Sequence, residues 1–384
     1  MSVETADKEP AEHRTLTAVS RREAHARAKT VERVRRTAED QLGDEVSKPG
    51  APAAPIRGQL YDAAAMDRQI EVTPEAVSQL QSGRILWIDL PRRDSDELSW
   101  LGQLLSLDKR TIEDLTTPRG ALGVDNYGAY LQFAGLAAPG SADPRTARDR
   151  RTPDGDRRID FLIGRNWVVT IHGTEVAYLE AFRAQDKGDT LTGALSAAAL
   201  GASLLDWHLE EYFAEVSRIE TAIDEVDEGI LAEPSEDRLL EDILAIRRRS
   251  SRLRRALMVQ RSVFYGLSRP DLGHGLDSDA LAALAALASR FERAVDEAEH
   301  TRDLSVGSFE LFTSRSAQQT NNLVKALTFF TVIIGTTAAV AGLFGMNFNP
   351  PFFQSGSGGF FAVTIALLTI GLSAWIIGRR RGWI

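Results

Sequence analysis

The sequence predicts an α/β cytoplasmic domain, with a mixed sheet covered by helices, joined to long coiled helices and two C-terminal transmembrane helices. Three observations support this fold class. Short apolar runs separated by turn residues follow residue 57, helical spacing dominates from about residue 201, and two uncharged apolar segments lie near the C-terminus. With 384 residues, the chain is long enough for more than one domain.

The α/β part is predicted from apolar runs of strand length and one helical repeat. Residues Arg84–Leu90 indicate a strand, and residues 95–107 have helical spacing, with Ser95 as the candidate N-cap. Residues 128–138 indicate another strand, and residues 158–173 indicate a pair of strands joined by a Gly-Arg-Asn turn. A small mixed sheet with helices on its faces follows from this order.

From about residue 201 onward the sequence predicts helices. An acidic helix is followed by a basic one, which suggests an antiparallel pair. A third helix begins near Asp277 and, if it continues to Gly345, is about 100 Å long. We expect helices of other subunits to cover its apolar stripe, because one chain of this size is not expected to bury so long a helix. The stripe comprises Leu281, Leu284, Ala288, Phe291, Val295 and Ala298.

Two segments predict membrane spans. Ala326–Phe344 and Phe360–Gly378 each run for nineteen residues without charge, which corresponds to about 28 Å of helix, close to the thickness of a bilayer core. The alternative is a buried hairpin in the core of a soluble protein. The second span is followed by Arg379, Arg380 and Arg381, whereas the link between the spans is uncharged. The positive-inside rule therefore predicts a multi-pass protein of the inner (plasma) membrane with both termini in the cytoplasm.

The predicted organisation has seven parts. They are a disordered tail (1–57), the α/β domain (58–200), a helical stalk (201–325), a pore-lining span (326–347), an external loop (348–359), a second span (360–378) and a basic cytoplasmic tail (379–384).

Composition excludes several classes of function. The chain has no cysteine, so disulfides and thiol nucleophiles are absent. Its net charge of -9 argues against a general nucleic-acid binder. There is no P-loop and no catalytic spacing around the six histidines, so we expect neither an enzyme nor an organic cofactor. His208 and Glu211 are expected on the surface of a helix.

Asn347, at the end of the first span, is the polar residue that most needs an explanation. Several copies of the chain around an axis would turn it into a ring of amides that faces water or an ion rather than lipid. Neutral oxygens in such a ring suit hydrated Mg²⁺, which loses its water shell reluctantly. The alternative is that Asn347 caps the C-terminus of the helix.

The motifs around this residue resemble those of the CorA family of magnesium and cobalt channels. Gly345, Met346 and Asn347 form the family's Gly-Met-Asn signature at the end of the first of two C-terminal spans, and the tail "RRRGWI" follows the second. The upstream segments "ILWIDL", "DKRTIEDL", "FLIGRNWVVTIHG" and "TNNLVKALT" are also similar to family blocks, so the resemblance covers roughly residues 80–384.

The resemblance implies a homopentamer that binds divalent cations, lies in the lipid bilayer and takes up Mg²⁺ passively. It implies a selectivity filter at Gly345, Met346 and Asn347, and a polar ring at Asn321. It also implies a hydrophobic gate at Val324 and Leu327, on one stripe with Thr331. These two apolar residues are alternatively ordinary packing residues.

The resemblance also implies a regulatory divalent-cation site at Glu113 and Asp114. The matching partner position on the long helix is Ala286, which has no ligand atom in its side chain. The alternative is that Glu113 and Asp114 form an ordinary exposed helical turn. Two further departures are the lack of an acidic residue in the external loop and Thr336 where the family has a proline.

The expected function is therefore a homopentameric channel for uptake of hydrated Mg²⁺, and also Co²⁺ or Ni²⁺, driven by the membrane potential. One alternative is a transporter of the same fold for Zn²⁺ or for Mg²⁺ efflux. The other is a non-conducting, membrane-anchored coiled-coil scaffold.

Overall fold

A computed structural model describes residues 56–118, 121–139, 157–174, 176–185, 192–232, 236–269, 272, 277–345 and 357–380. Internal contacts divide the chain into two compact units. The first unit comprises residues 1–226 and 241–306, and the second comprises residues 227–240 and 307–384. Residues 1–55 of the predicted N-terminal tail lie outside the described residues, and the first strand begins at Arg57, the last residue of the range assigned to the tail.

The first unit contains a seven-stranded mixed sheet in the order β2-β1-β3-β7-β6-β5-β4. Only the central pair, β3 and β7, is parallel; the other pairs are antiparallel. The strands are β1 (Arg57–Asp62), β2 (Arg68–Ile70), β3 (Arg84–Leu90), β4 (Val124–Asn126), β5 (Tyr130–Leu136), β6 (Arg158–Gly164) and β7 (Trp167–His172).

Eight α-helices are described. They are α1 (Pro74–Ser78), α2 (Ser95–Leu105), α3 (Lys109–Thr116), α4 (Ala177–Gln185), α5 (Ala197–Leu231), α6 (Glu236–Leu267), α7 (Ser278–Gly345) and α8 (Ser357–Arg380). The predicted strands, the turn between β6 and β7 and the long third helix are confirmed. The N-cap of α2 differs from the prediction by one residue, because the side chain of Asp94 accepts from the backbone N–H groups of Asp96 and Glu97.

Nearly all side chains of the central strand β3 are buried. Because successive side chains point to opposite sides of the sheet, both of its faces are covered here. Leu86 and Ile88 belong to the core formed with α2 and α3. Trp87 faces the other way and meets the ring of Phe182, on α4, at 5.7 Å. Helices therefore cover both faces of the sheet.

In the first unit, α5, α6 and α7 pack against one another. The rings of Phe264 and Phe291 stack at 4.5 Å between α6 and α7, and Arg249 of α6 pairs with Glu215 of α5. Leu284, Phe291, Val295 and Ala298 are buried. The expectation that other subunits would cover this stripe is therefore wrong for these four residues, because α5 and α6 of the same chain supply the packing.

The prediction that His208 lies on a helix surface is also wrong. His208 is fully buried and its Nε2–H donates to Oε1 of Gln260 at 2.8 Å. The amide of Gln260 donates in turn to the hydroxyl of Tyr212. Burial lowers the pKa of His208 to about 4, although the hydrogen bond with Gln260 acts in the opposite direction. The imidazole is therefore neutral at pH 7 and belongs to a buried polar cluster.

Candidate functional site

The second unit contains the C-terminal part of α7, whose large apolar side chains are exposed. Leu327 is 68% exposed and Ile334 is 66% exposed. No Asp, Glu, Lys or Arg occurs between Ala326 and Phe344. Among the described residues, α7 is the one helix that is long and apolar enough to cross a membrane. Exposure of such a surface to water is unfavourable, so this part of the helix requires lipid or other helices around it.

The predicted pore residues lie on one side of α7. At about 100° per residue, Asn321, Val324, Leu327 and Thr331 fall within an arc of about 120°. All four are exposed in the single chain. Lys325 projects within about 40° of Asn321 by the same geometry, so the stripe combines an amide, a nearby ammonium group, two apolar residues and a hydroxyl. Helix geometry thus groups the predicted residues without contacts between their side chains.

The hydroxyl of Thr331 donates to the backbone carbonyl of Leu327 at 2.8 Å. Thr328 donates in the same way to the carbonyl of Val324. A hydroxyl that donates its single hydrogen still has lone pairs that can accept. Thr331 therefore offers an oxygen on the stripe without a donor of its own, an arrangement that suits a hydrated cation.

The outer end of the predicted pore is only partly described. Gly345 is the last residue of α7 and, by helix geometry, lies on the same side as Leu327. Met346 and Asn347 lie outside the described residues. The predicted ring of amides therefore remains a prediction.

Helix α8 corresponds to the predicted second span. Phe361, Ile365 and Leu368 on this helix are each more than half exposed. At its C-terminal end, the guanidinium of Arg379 lies over the ring of Trp375 at 5.5 Å. Arg380 is the last residue of the helix, and Arg381 lies outside the described residues.

The predicted regulatory residues lie on α3 in the first unit. Glu113 is exposed, whereas Asp114 is half-buried. Oδ2 of Asp114 accepts from Nη2 of Arg158 at 2.8 Å and from Nε2 of Gln132 at 3.1 Å. Ala286 is exposed. Across the described residues, no group of three or more His, Asp or Glu side chains is arranged to hold a metal ion.

Sequence reasoning missed the contribution of Arg158 and Asp160. Both are buried, and the guanidinium of Arg158 contacts both Asp160 and Asp114. A signal was present, because residues two apart on a strand share one face and β6 begins with Arg-Ile-Asp. Two opposite charges on a face otherwise buried against helices indicate an internal ion pair.

Comparison with known proteins gives a consistent result. Residues 82–379 match the family described as "CorA-like Mg2+ transporter protein". The chain is similar to YfjQ of Bacillus subtilis, named as a candidate metal ion transporter, with 21% identity over 77% of this chain and 89% of that protein. It is also similar to the cobalt/magnesium transport protein CorA of Thermotoga maritima, with 25% identity over 38% of this chain and 41% of that protein.

A solved structure shares the fold. The CorA magnesium transporter of Methanocaldococcus jannaschii superposes with a TM-score of 0.63 and 18% identity, over 86% of this chain and all of that chain. The CorA family consists of membrane-embedded ion transporters that carry Mg²⁺, and its members are not enzymes. Because the family match extends over most of its length, the chain belongs to the CorA-like Mg²⁺ transporter family and is a divalent-cation transporter.

Proposed function

We propose that the chain forms a homopentameric channel for passive uptake of hydrated Mg²⁺, with Co²⁺ and Ni²⁺ as further cargo. The observation that carries the proposal is the stripe on α7. Helix α7 presents Asn321, Val324, Leu327 and Thr331 on one side, at the start of its exposed apolar segment. In a ring of identical subunits with this side toward the axis, each of the four positions becomes a ring of five side chains.

The proposed rings have different tasks. Asn321 supplies amide oxygens at the cytoplasmic end, and Thr331 supplies hydroxyl oxygens further along the pathway. Val324 and Leu327 form an apolar constriction that blocks the pathway by excluding water when it is narrow. Gly345, Met346 and Asn347 form the outer selectivity filter, where neutral oxygens hold the hydrated ion weakly enough to release it.

The proposed orientation places both termini in the cytoplasm of a cell whose inner membrane contains α8 and the apolar part of α7. Arg379, Arg380 and Arg381 then form a basic ring at the cytoplasmic surface, as the positive-inside rule requires. The membrane potential drives uptake, because a divalent cation that moves inward gains about 4.6 kcal/mol per 100 mV. No organic cofactor is required.

The test is Mg²⁺ flux into liposomes that contain the purified protein and a Mg²⁺-sensitive dye. Asn347→Ala is expected to reduce the flux at least tenfold, because it removes every amide of the ring. Asn349→Ala, two residues further along the chain, is the matched control and should leave most of the flux. Equal flux for wild type and Asn347→Ala would reject the filter. Absence of flux in wild type would favour the non-conducting scaffold.

A second candidate is a transporter of the same fold for Zn²⁺ or for Mg²⁺ efflux. It is favoured by the external loop, residues 348–359, which carries no acidic residue that would attract cations from outside. Competition in the liposome assay separates the zinc transporter from the magnesium channel. Inhibition of Mg²⁺ influx by excess Zn²⁺, together with dye-detected Zn²⁺ entry, supports a zinc transporter. Mg²⁺ influx that Zn²⁺ does not reduce supports the magnesium channel.

A further inference from the structure

Four charged side chains of the first unit form a network of ion pairs between the sheet and α3, in which positive and negative charges alternate. Nη2 of Arg93 lies 2.6 Å from Oδ2 of Asp160. Nη2 of Arg158 lies 2.7 Å from Oδ1 of Asp160 and 2.8 Å from Oδ2 of Asp114. This network of ion pairs therefore contains two positive and two negative charges, which balance one another.

The surroundings supply further hydrogen bonds to these four charged side chains, although Nε of Arg93 is buried without a hydrogen-bond partner among the described residues. Gln132 donates to Asp114 and accepts from the hydroxyl of Thr111, which also contacts the hydroxyl of Tyr130. Arg93 additionally donates to the backbone carbonyl of Arg158 at 2.9 Å. Asp160 is fully buried. Buried charges are tolerated when they are paired and hydrogen-bonded in this way.

One nitrogen atom of Arg158 occupies the place where a bridging metal ion would bind. That atom, Nη2, contacts one oxygen of Asp114 and one oxygen of Asp160. A Mg²⁺ ion shared by the same two oxygens would also lie between them, about 2.1 Å from each after the carboxylates had moved closer, so the nitrogen and a bridging ion exclude one another. Burial lowers the pKa of Arg158, but the charges of Asp160 and Asp114 outweigh this effect and raise it. The guanidinium is thus permanently charged and repels a second cation.

We propose that Arg158 acts as a tethered cation between Asp114 and Asp160, fills what would otherwise be a divalent-cation site, and makes the fold of the first unit independent of Mg²⁺. The pair Glu113 and Asp114 therefore does not serve as a divalent-cation sensor in this chain. Ala286 is consistent with this conclusion, since it offers no ligand from α7. The conclusion that these residues are not a sensor of the channel rests on the proposed function. The following test measures cation binding and does not depend on transport.

The experiment is thermal unfolding of the full-length protein in detergent, followed by tryptophan fluorescence, with and without millimolar MgCl₂ at matched ionic strength. Trp87 and Trp167 lie in the sheet of the first unit and report its unfolding. Wild-type Tm should not change with Mg²⁺. Arg158→Met should lower Tm, because two carboxylates lose their shared partner, and Mg²⁺ should then raise Tm by several degrees.

Three variants serve as controls. Arg158→Lys keeps a cation at the site and should show no response to Mg²⁺. Arg158→Met combined with Asp114→Asn removes a ligand and should lose the response of the single variant. Arg84→Met breaks a different Arg–Asp pair, with Asp62 at 2.8 Å, and should also show no response.

Two results would overturn the proposal. One is a Mg²⁺-dependent rise of wild-type Tm that disappears in Asp114→Asn, because the carboxylate would then bind Mg²⁺ with Arg158 in place. The other is a folded Arg158→Met protein whose Tm does not respond to Mg²⁺. If Arg158→Met does not fold, the comparison of wild type with Asp114→Asn decides. If the Tm of wild type and the Tm of Asp114→Asn are each the same with and without Mg²⁺, the proposal holds. This outcome is independent of the Mg²⁺ flux assay, which tests the proposed channel function.

Discussion

The two parts of α7 place the same residue types in opposite environments. Leu284 and Phe291, in the first unit, are 1% and 0% exposed, whereas Leu327 and Ile334, in the second, are 68% and 66% exposed. The first part packs against α5 and α6 of its own chain. The comparison shows that apolar residues on a helix do not by themselves identify their partner, because either the same chain, another copy or lipid can cover them.

The strongest test of this comparison uses one substitution in each part. Leu284→Ala is expected to destabilise the first unit by about 3 kcal/mol, because it leaves a cavity in a packed core. Leu327→Ala should change the same free energy of unfolding by less than about 0.5 kcal/mol. Urea unfolding of the full-length protein, followed by tryptophan fluorescence, measures both. Similar losses for the two variants would contradict the proposed difference in environment.

The second prediction concerns the buried polar cluster of the first unit. Neutral His208 has a folded pKa of about 4, below its ordinary value of 6.5. The unfolded chain therefore binds a proton that the folded chain does not, and stability is lost as pH falls from about 6.5 towards 4. At pH 5 this difference in pKa is expected to lower the free energy of unfolding by about 2 kcal/mol relative to neutral pH.

His208→Gln keeps a hydrogen-bonding side chain but removes the titration. Its stability should fall less than that of wild type between pH 7 and pH 5 in urea unfolding. His300→Gln is a matched control, because it makes the same substitution at an exposed histidine, and it should keep the pH profile of the wild type. A His208→Gln protein with the same pH profile as wild type would show that this histidine is not neutral in the folded state.

The smallest expected effect tests the position where sequence and structure differ at the start of α2. Asp94→Ala should cost about 1 kcal/mol, because it removes the acceptor for two backbone N–H groups. Ser95→Ala should change the unfolding free energy by less than about 0.5 kcal/mol, since Ser95 already lies inside the helix. The opposite ranking would restore Ser95 as the cap.

Local patterns of the sequence predicted local structure well. The bounds of β3 match the predicted strand, since one apolar run between polar turns determines it. The turn between β6 and β7 and the long α7 follow from equally strong signals. The two transmembrane helices are confirmed only in part, because α7 alone qualifies as a spanning helix among the described residues.

Non-local features were not predictable in the same way. The burial of His208 depends on Gln260, which lies on another helix. The ion pair of Asp114 depends on Arg158, which lies on a strand distant in sequence. The spacing of the predicted pore residues is a property of one helix and could be predicted from the sequence. The axis that these residues would surround requires further copies of the chain.

The single parallel pair in the sheet has a consequence for biosynthesis. Leu86 of β3 pairs with Trp167 of β7, so the middle of the sheet is closed by segments far apart in the chain. Until β7 has been synthesised, β3 has β1 as its neighbour on one side and an open edge on the other. Such non-local pairing is slow to form, and an open apolar edge invites association with other nascent chains. The sheet therefore cannot be complete before the ribosome has translated past His172, the last residue of β7.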